Sequence, residues 1–264
     1  MDRRAFLRLA GMSGVFGTAG CLATPPSATA TAAADQSIRP TARHGVPSDI
    51  CDQSIVDDAG IYAITAPAFA ADWQGKDIHR AYRHQHGPPR LVDEQTIIGV
   101  RWDDGARAYP LSVLSHHEVV NDDAGGPILV TFCPLCSSGM VASRRVDNTV
   151  TNFAVSGQLW IPEGAFAAAS IQRGRSFGAD LKGGRTVDVR RNGNLVLYDA
   201  ATRSFWSQLL AAAICGPQTG TELEIRPSKV ATWGQWLSTH PETDVLLPPP
   251  YSETVDPGTV LGKR

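Results

Sequence analysis

The sequence predicts an α+β fold, β-rich, folded as one domain with short helices. Three observations predict it. Apolar residues come in short runs closed by Gly, Pro, Asp or Asn, and seldom recur at the helical period of ~3.6 residues. Eighteen Pro and six Trp favour packed sheets and loops over a helical bundle. A hydrophobic content of 42% against 19% charged residues over 264 residues is enough for an ample core. A net charge of −2 leaves no basic surface for nucleic acid, so no nucleic-acid partner is expected.

The chain opens with targeting and tether segments that stand outside the fold. Arg3-Arg4 precede Phe6-Leu7 and a modestly apolar stretch, the pattern of a twin-arginine export signal over residues 1–22. Gly17-Thr18-Ala19-Gly20-Cys21 resembles a lipobox with Cys21 as the acylated residue, although Thr18 stands where an aliphatic side chain is usual. The alternative is a plain cleaved signal. Residues 23–46 are rich in Ala, Thr, Pro and Ser and cannot offset the entropy of ordering, so they read as a flexible linker. The expected location is therefore the outer face of the cytoplasmic membrane, with the lipidated N-terminus touching the membrane surface, or secretion. Beyond residue 23 nothing approaches the ~18 apolar residues of a membrane span.

The ordered domain is expected over residues 47–264. Thr96–Trp102 and Ala106–Pro110 flank Asp103-Asp104-Gly105 as the arms of a hairpin. Pro110 then starts a short helix in which Leu114 and His117 share the inward face, and Asp123–Gly126 lies past its end. Ile128–Phe132 is a continuous apolar run, the signature of a buried strand, and it delivers Cys133-Pro134-Leu135-Cys136. Met140–Ala142 and Thr151–Val155 are expected as strands about an Asp147-Asn148 turn. Residues 161–191 are Gly- and Arg-rich and look inserted. Leu195–Tyr198 resumes as a strand, Thr202–Ala213 is expected as a helix, Glu222–Ile225 and Lys229–Trp233 as strands, and Gly234–Thr239 as a closing helix.

Chemistry concentrates at the CxxC. Two thiols at that spacing chelate one soft ion or close one small ring. A structural zinc site would need a second such pair, which is absent, whereas copper(I) is satisfied by two or three soft ligands. Three readings stay open: a metal centre, a redox dithiol and a structural disulfide. Ser137–Val141 begins no amphipathic helix, so the thiolate lacks the stabilising helix N-terminus of a thioredoxin-like site. His117 is either a third ligand or a satisfied core histidine, and Glu118 either orients its ring or carries surface charge. His116 is expected to face elsewhere. Met140 and Cys215 are expected in the core, Cys215 being alternatively a third thiolate or a partner for Cys51. His79, His84 and His86 read as surface imidazoles.

Several motifs in fixed order resemble the domain-of-unknown-function 3179 family: Ala108–Leu111, His117–Asp122, Val130–Cys136, Phe153–Gly157, Leu197–Asp199, Ser204–Gln208, Gly216-Pro217 and Thr232–Trp236. The resemblance implies no established activity. It marks His117, Glu118, Cys133, Cys136, Trp206 and Gln208 as motif positions, and it raises metal or redox chemistry over structural thiols. Tyr198, Trp206 and Gln208 would line a pocket or pack. The leading expectation is a soft-metal centre of Cys133, Cys136 and His117, holding copper first and zinc second, with Glu118 orienting the imidazole. The alternatives are a thiol–disulfide oxidoreductase and a non-catalytic module with a structural disulfide.

Overall fold

The computed structural model describes residues 61–160 and 194–255. The expected signal, Cys21, Cys51, most of the linker-to-domain junction and the expected insertion at 161–191 lie outside these residues. Two α-helices are described, Leu111–His117 (α1) and Trp233–Thr239 (α2), both seven residues long; the rest of the regular structure is mostly β. Neither helix is long and apolar enough to cross a membrane.

Three sheets carry the fold. The first has the order Glu253–Val255, Ala63–Ala66, Val119–Asp123, Pro127–Cys133, Ser138–Ser143. In it Ala63–Ala66 runs parallel to Val119–Asp123, with Ile64 opposite Val120, and the other pairs are antiparallel. The second has the order Lys229–Thr232, Thr96–Trp102, Gly105–Pro110, Asp244–Leu247, Ala68–Ala70. The third is an antiparallel meander of Phe153–Trp160, Asn194–Asp199, Phe205–Ser207 and Ala212–Cys215.

The first sheet is the middle layer. Successive side chains on a strand face opposite ways, and here both faces are covered. Ile64, Val120, Ile128, Val130 and Val141 join Ile98, Val100, Tyr109 and Trp236 in one core with the second sheet. Ala63, Val119, Leu129, Cys133, Met140 and Ala142 join Phe153, Leu197, Trp206 and Ala213 in another with the third. Burial on both faces is why Ile128–Phe132 reads as an apolar run interrupted only by Thr131.

Polar side chains tie the layers together. Asn121 (buried) donates through Nδ2 to the carbonyls of Ile64 (3.2 Å) and Phe153 (2.8 Å) and accepts from the Phe153 amide (2.6 Å), so it bridges the first and third sheets. Between the first and second, the Arg107 guanidinium holds both oxygens of Asp122 (2.6 and 2.7 Å), and the Tyr109 hydroxyl donates to the same carboxylate at 2.5 Å.

One expected element is corrected. Thr202–Ala213 is not a helix: Phe205–Ser207 and Ala212–Cys215 are strands joined by a turn. Arg203 (φ 59°) and Ala211 (φ 50°) sit in the left-handed region, which no continuous helix passes through. Glu222–Ile225 makes only isolated bridges, through Glu222 to Ala212 and Ile225 to Ala142, instead of a full strand.

Candidate functional site

Cys133 ends the strand Pro127–Cys133, and Ser138 begins the returning strand directly opposite it. Pro134–Ser137 make the turn, closed by Ser137 at φ 50°. Within that turn Cys133 and Cys136 are joined as a disulfide, their Cα atoms 5.2 Å apart. Cys133 is fully buried in the core shared with the third sheet, while Cys136 is partly exposed and Leu135 between them is exposed. The Cys136 amide donates to the Cys133 sulfur at 3.2 Å. The residues after the motif form the strand Ser138–Ser143, where a thioredoxin-like site would carry a helix.

Gln208 arrives from the turn after Phe205–Ser207 and is 2% exposed. Its Nε2 donates to Thr131 Oγ1 (3.2 Å) and to the Ser138 carbonyl (3.3 Å), and its Oε1 accepts from the Ser138 hydroxyl (3.0 Å). Thr131 shares a strand face with Cys133, two residues on. The amide therefore spans the two strands that deliver the cysteines.

His117 sits at the last turn of α1, buried as its shared face with Leu114 predicts. Its Nδ1 lies 2.8 Å from the Tyr62 carbonyl, which can only accept, so the proton is assigned to Nδ1. Nε2 then accepts from the Tyr82 hydroxyl at 2.9 Å, and the two rings stack at 5.8 Å. Burial pushes the imidazole below its ordinary value, favouring this neutral form. The ring is thus oriented by Tyr62 and Tyr82, and Glu118 is not among its hydrogen-bond partners. His116 is exposed, as expected, and meets Tyr82 edge-on.

Glu118 caps α1 in the left-handed conformation, φ 55°. Its carbonyl accepts from the Phe132 amide, one residue before Cys133. Its side chain is 7% exposed, and burial raises the carboxyl from 4.5 to about 7.

The expected ligands are not presented as a set. Among the described residues no three His, Cys, Asp or Glu side chains are grouped as a metal would need. In this arrangement the donors do not fit a copper or zinc ion, because each sulfur is spent on the other and His117 Nε2 is occupied by Tyr82. Trp206 and Tyr198 are fully buried in the core, where Trp206 Nε1 donates to Asp199 at 2.9 Å. Met140 and Cys215 are buried, as expected, and Cys215 is itself disulfide-bonded; Cys51, named above as one alternative partner, lies outside the described residues. His79 and His86 are exposed and His84 half-buried. A cleft of about 400 Å³ near Trp102 and Arg226 is lined by none of the expected site residues.

Sequence reasoning missed Tyr82, Thr131 and Ser138. Thr131 had a signal, as the one polar residue in an apolar strand; Tyr82 had none, lying in an irregular segment 35 residues before its partner.

A layered β protein with a CxxC disulfide at the end of one strand of its middle sheet is the class that fold and site define. The chain belongs to the family described as "Protein of unknown function (DUF3179)", matched over residues 58–162 and 185–257. No curated protein and no solved structure matches it.

Proposed function

We propose that Cys133 and Cys136 work as a dithiol–disulfide couple in an exported protein. The observation that carries this reading is the asymmetry of the bonded pair. Cys136 is partly exposed, while Cys133 is buried with an amide aimed at its sulfur. An incoming protein or small-molecule thiolate would attack Cys136 Sγ and form a mixed disulfide. The Cys133–Cys136 bond breaks, and its electron pair passes to Cys133 Sγ, where the Cys136 N–H stabilises the thiolate until it takes a proton. A second thiolate from the same reductant then attacks the partner sulfur. It releases an external disulfide and leaves Cys136 reduced, so two electrons enter the pair and two thiols are oxidised.

A purely structural role has weaker support. Closing a ring of four residues removes only about 2 kcal/mol of unfolded-chain entropy, and the turn is already closed by the pairing of Cys133 with Ser138. A second disulfide at Cys215 supports an oxidising compartment, in line with the export signal read at residues 1–22.

The test is to equilibrate the protein across thiol–disulfide buffers, trap free thiols with a maleimide and map the labelled peptides. Reversible labelling of Cys133 and Cys136 together is expected, and it should vanish in Cys136→Ser. A pair that stays bonded under dithiothreitol in the folded protein would overturn the redox reading in favour of a structural bond. Copper(I) or zinc added to the reduced protein gives the third outcome. Near-stoichiometric binding lost in both Cys133→Ser/Cys136→Ser and His117→Ala would make Cys133, Cys136 and His117 a metal centre instead, with His117 released from Tyr82.

A further inference from the structure

We infer that Gln208 is a positioning residue for the Cys133–Cys136 centre, its amide holding the two cysteine-bearing strands so that the reduced thiols remain within bonding reach. This rests on the dithiol–disulfide reading above. The amide makes three hydrogen bonds: both Nε2 hydrogens and one Oε1 lone pair are used, on Thr131 upstream of Cys133 and on Ser138 downstream of Cys136. Ser138 is the residue paired across from Cys133, so the clamp grips the ladder rung on which the buried sulfur sits.

The clamp is also anchored behind. The Gln208 amide N–H donates to the Leu195 carbonyl (2.9 Å), and its carbonyl accepts from Ala211 (3.2 Å), which roots it in the third sheet. The grip therefore comes from outside the hairpin and does not depend on the disulfide. Such an arrangement matters most in the reduced state. Once the bond is open, ring closure depends on how often the two sulfurs meet in bonding geometry, and rigid strand ends raise that frequency. Without the amide the strand ends are freer to splay, and the disulfide loses ground to the dithiol. The direction is fixed by this argument: removing the clamp makes the pair easier to reduce. A group that only filled space would weaken the oxidised and reduced proteins alike and leave their balance where it was.

The experiment measures the equilibrium constant of the Cys133–Cys136 couple in defined thiol–disulfide buffers for wild type, Gln208→Ala and Ser138→Ala, beside thermal unfolding of both redox forms. Gln208→Ala is expected to shift the balance about tenfold toward the dithiol, a rise of ~30 mV in reduction potential. Ser138→Ala, which removes only the hydroxyl contact, should move it the same way by less. Thr131→Val provides a further single-contact variant should Gln208→Ala not fold. Variants that lower Tm equally in both forms with the equilibrium constant unchanged would overturn the positioning role while leaving the redox couple intact. A wild-type pair that does not equilibrate with the buffer at all would instead remove the reading on which the inference stands.

Discussion

Glu118 keeps a carboxyl inside the protein at a backbone angle that few side chains adopt, and among the described residues no hydrogen bond or ion pair holds it. Burial favours its neutral form, and the pH dependence follows. Its folded-state value of about 7 lies above the ordinary 4.5, so the protonated group is tolerated. That contribution is complete below pH ~4.5 and is lost as pH rises through ~7. The gap corresponds to about 3 kcal/mol. Denaturant unfolding at pH 5 and pH 8 checks this: wild type should lose about that much relative to Glu118→Gln, and parallel curves for the two proteins would contradict it. His117 acts with the opposite sign, since its lowered value makes stability fall as pH drops below the ordinary histidine range. The inward position of His117 was legible from its spacing to Leu114. The positive φ of Glu118 and the hydroxyl of Tyr82 were not: the first depends on where the chain goes after the helix, and the second on a segment 35 residues before His117 that folds back on the helix.

At the scale of elements, strands bounded by strong turn chemistry were legible. Asp103-Asp104-Gly105 closes the Thr96–Trp102/Gly105–Pro110 hairpin, and Asp147 and Asn148 take the positive φ values of a tight turn. The segment 202–213 misled for an identifiable reason. Ala211, Ala212 and Ala213 favour a helix locally, but ladder pairing of Phe205–Ser207 with Ala212–Cys215 prevails, and Ser207, Gln208 and Trp206 all find partners in the sheet arrangement. Asn121 was read only as part of a motif, yet it is the link between two sheets. Asn121→Ala would remove the partner of the Phe153 amide and a donor to the Phe153 and Ile64 carbonyls in the core, at a cost of about 3 kcal/mol. A denaturant midpoint showing a loss below ~1 kcal/mol would mean that this bridge is not structurally needed.

For the whole molecule, the sequence showed a strand buried on both faces but not what buries it. The middle sheet gathers Ala63–Ala66, Val119–Ser143 and Glu253–Val255, segments far apart in the chain, and such distant pairing leaves no local trace. The position of the Cys133–Cys136 pair at the end of a strand of that sheet was therefore legible only as "after a strand". The proposed export and tethering are tested at this scale too. Arg3→Lys/Arg4→Lys should retain the protein in the cytoplasm, and Cys21→Ala should move it from the membrane to the soluble fraction; fractionation with immunodetection reads both. Unchanged export in the first variant would exclude the twin-arginine route, and unchanged membrane association in the second would exclude acylation at Cys21.

The two ends of the described chain are hydrogen-bonded neighbours, with Ala63 opposite Val255 and Ile64 opposite Thr254. In an antiparallel pair loaded from adjacent ends, tension falls on one rung at a time instead of on all rungs together. A pull applied between residues 61 and 255 would therefore open this edge like a zipper, peeling Glu253–Val255 away at low force while the layers behind it stay closed.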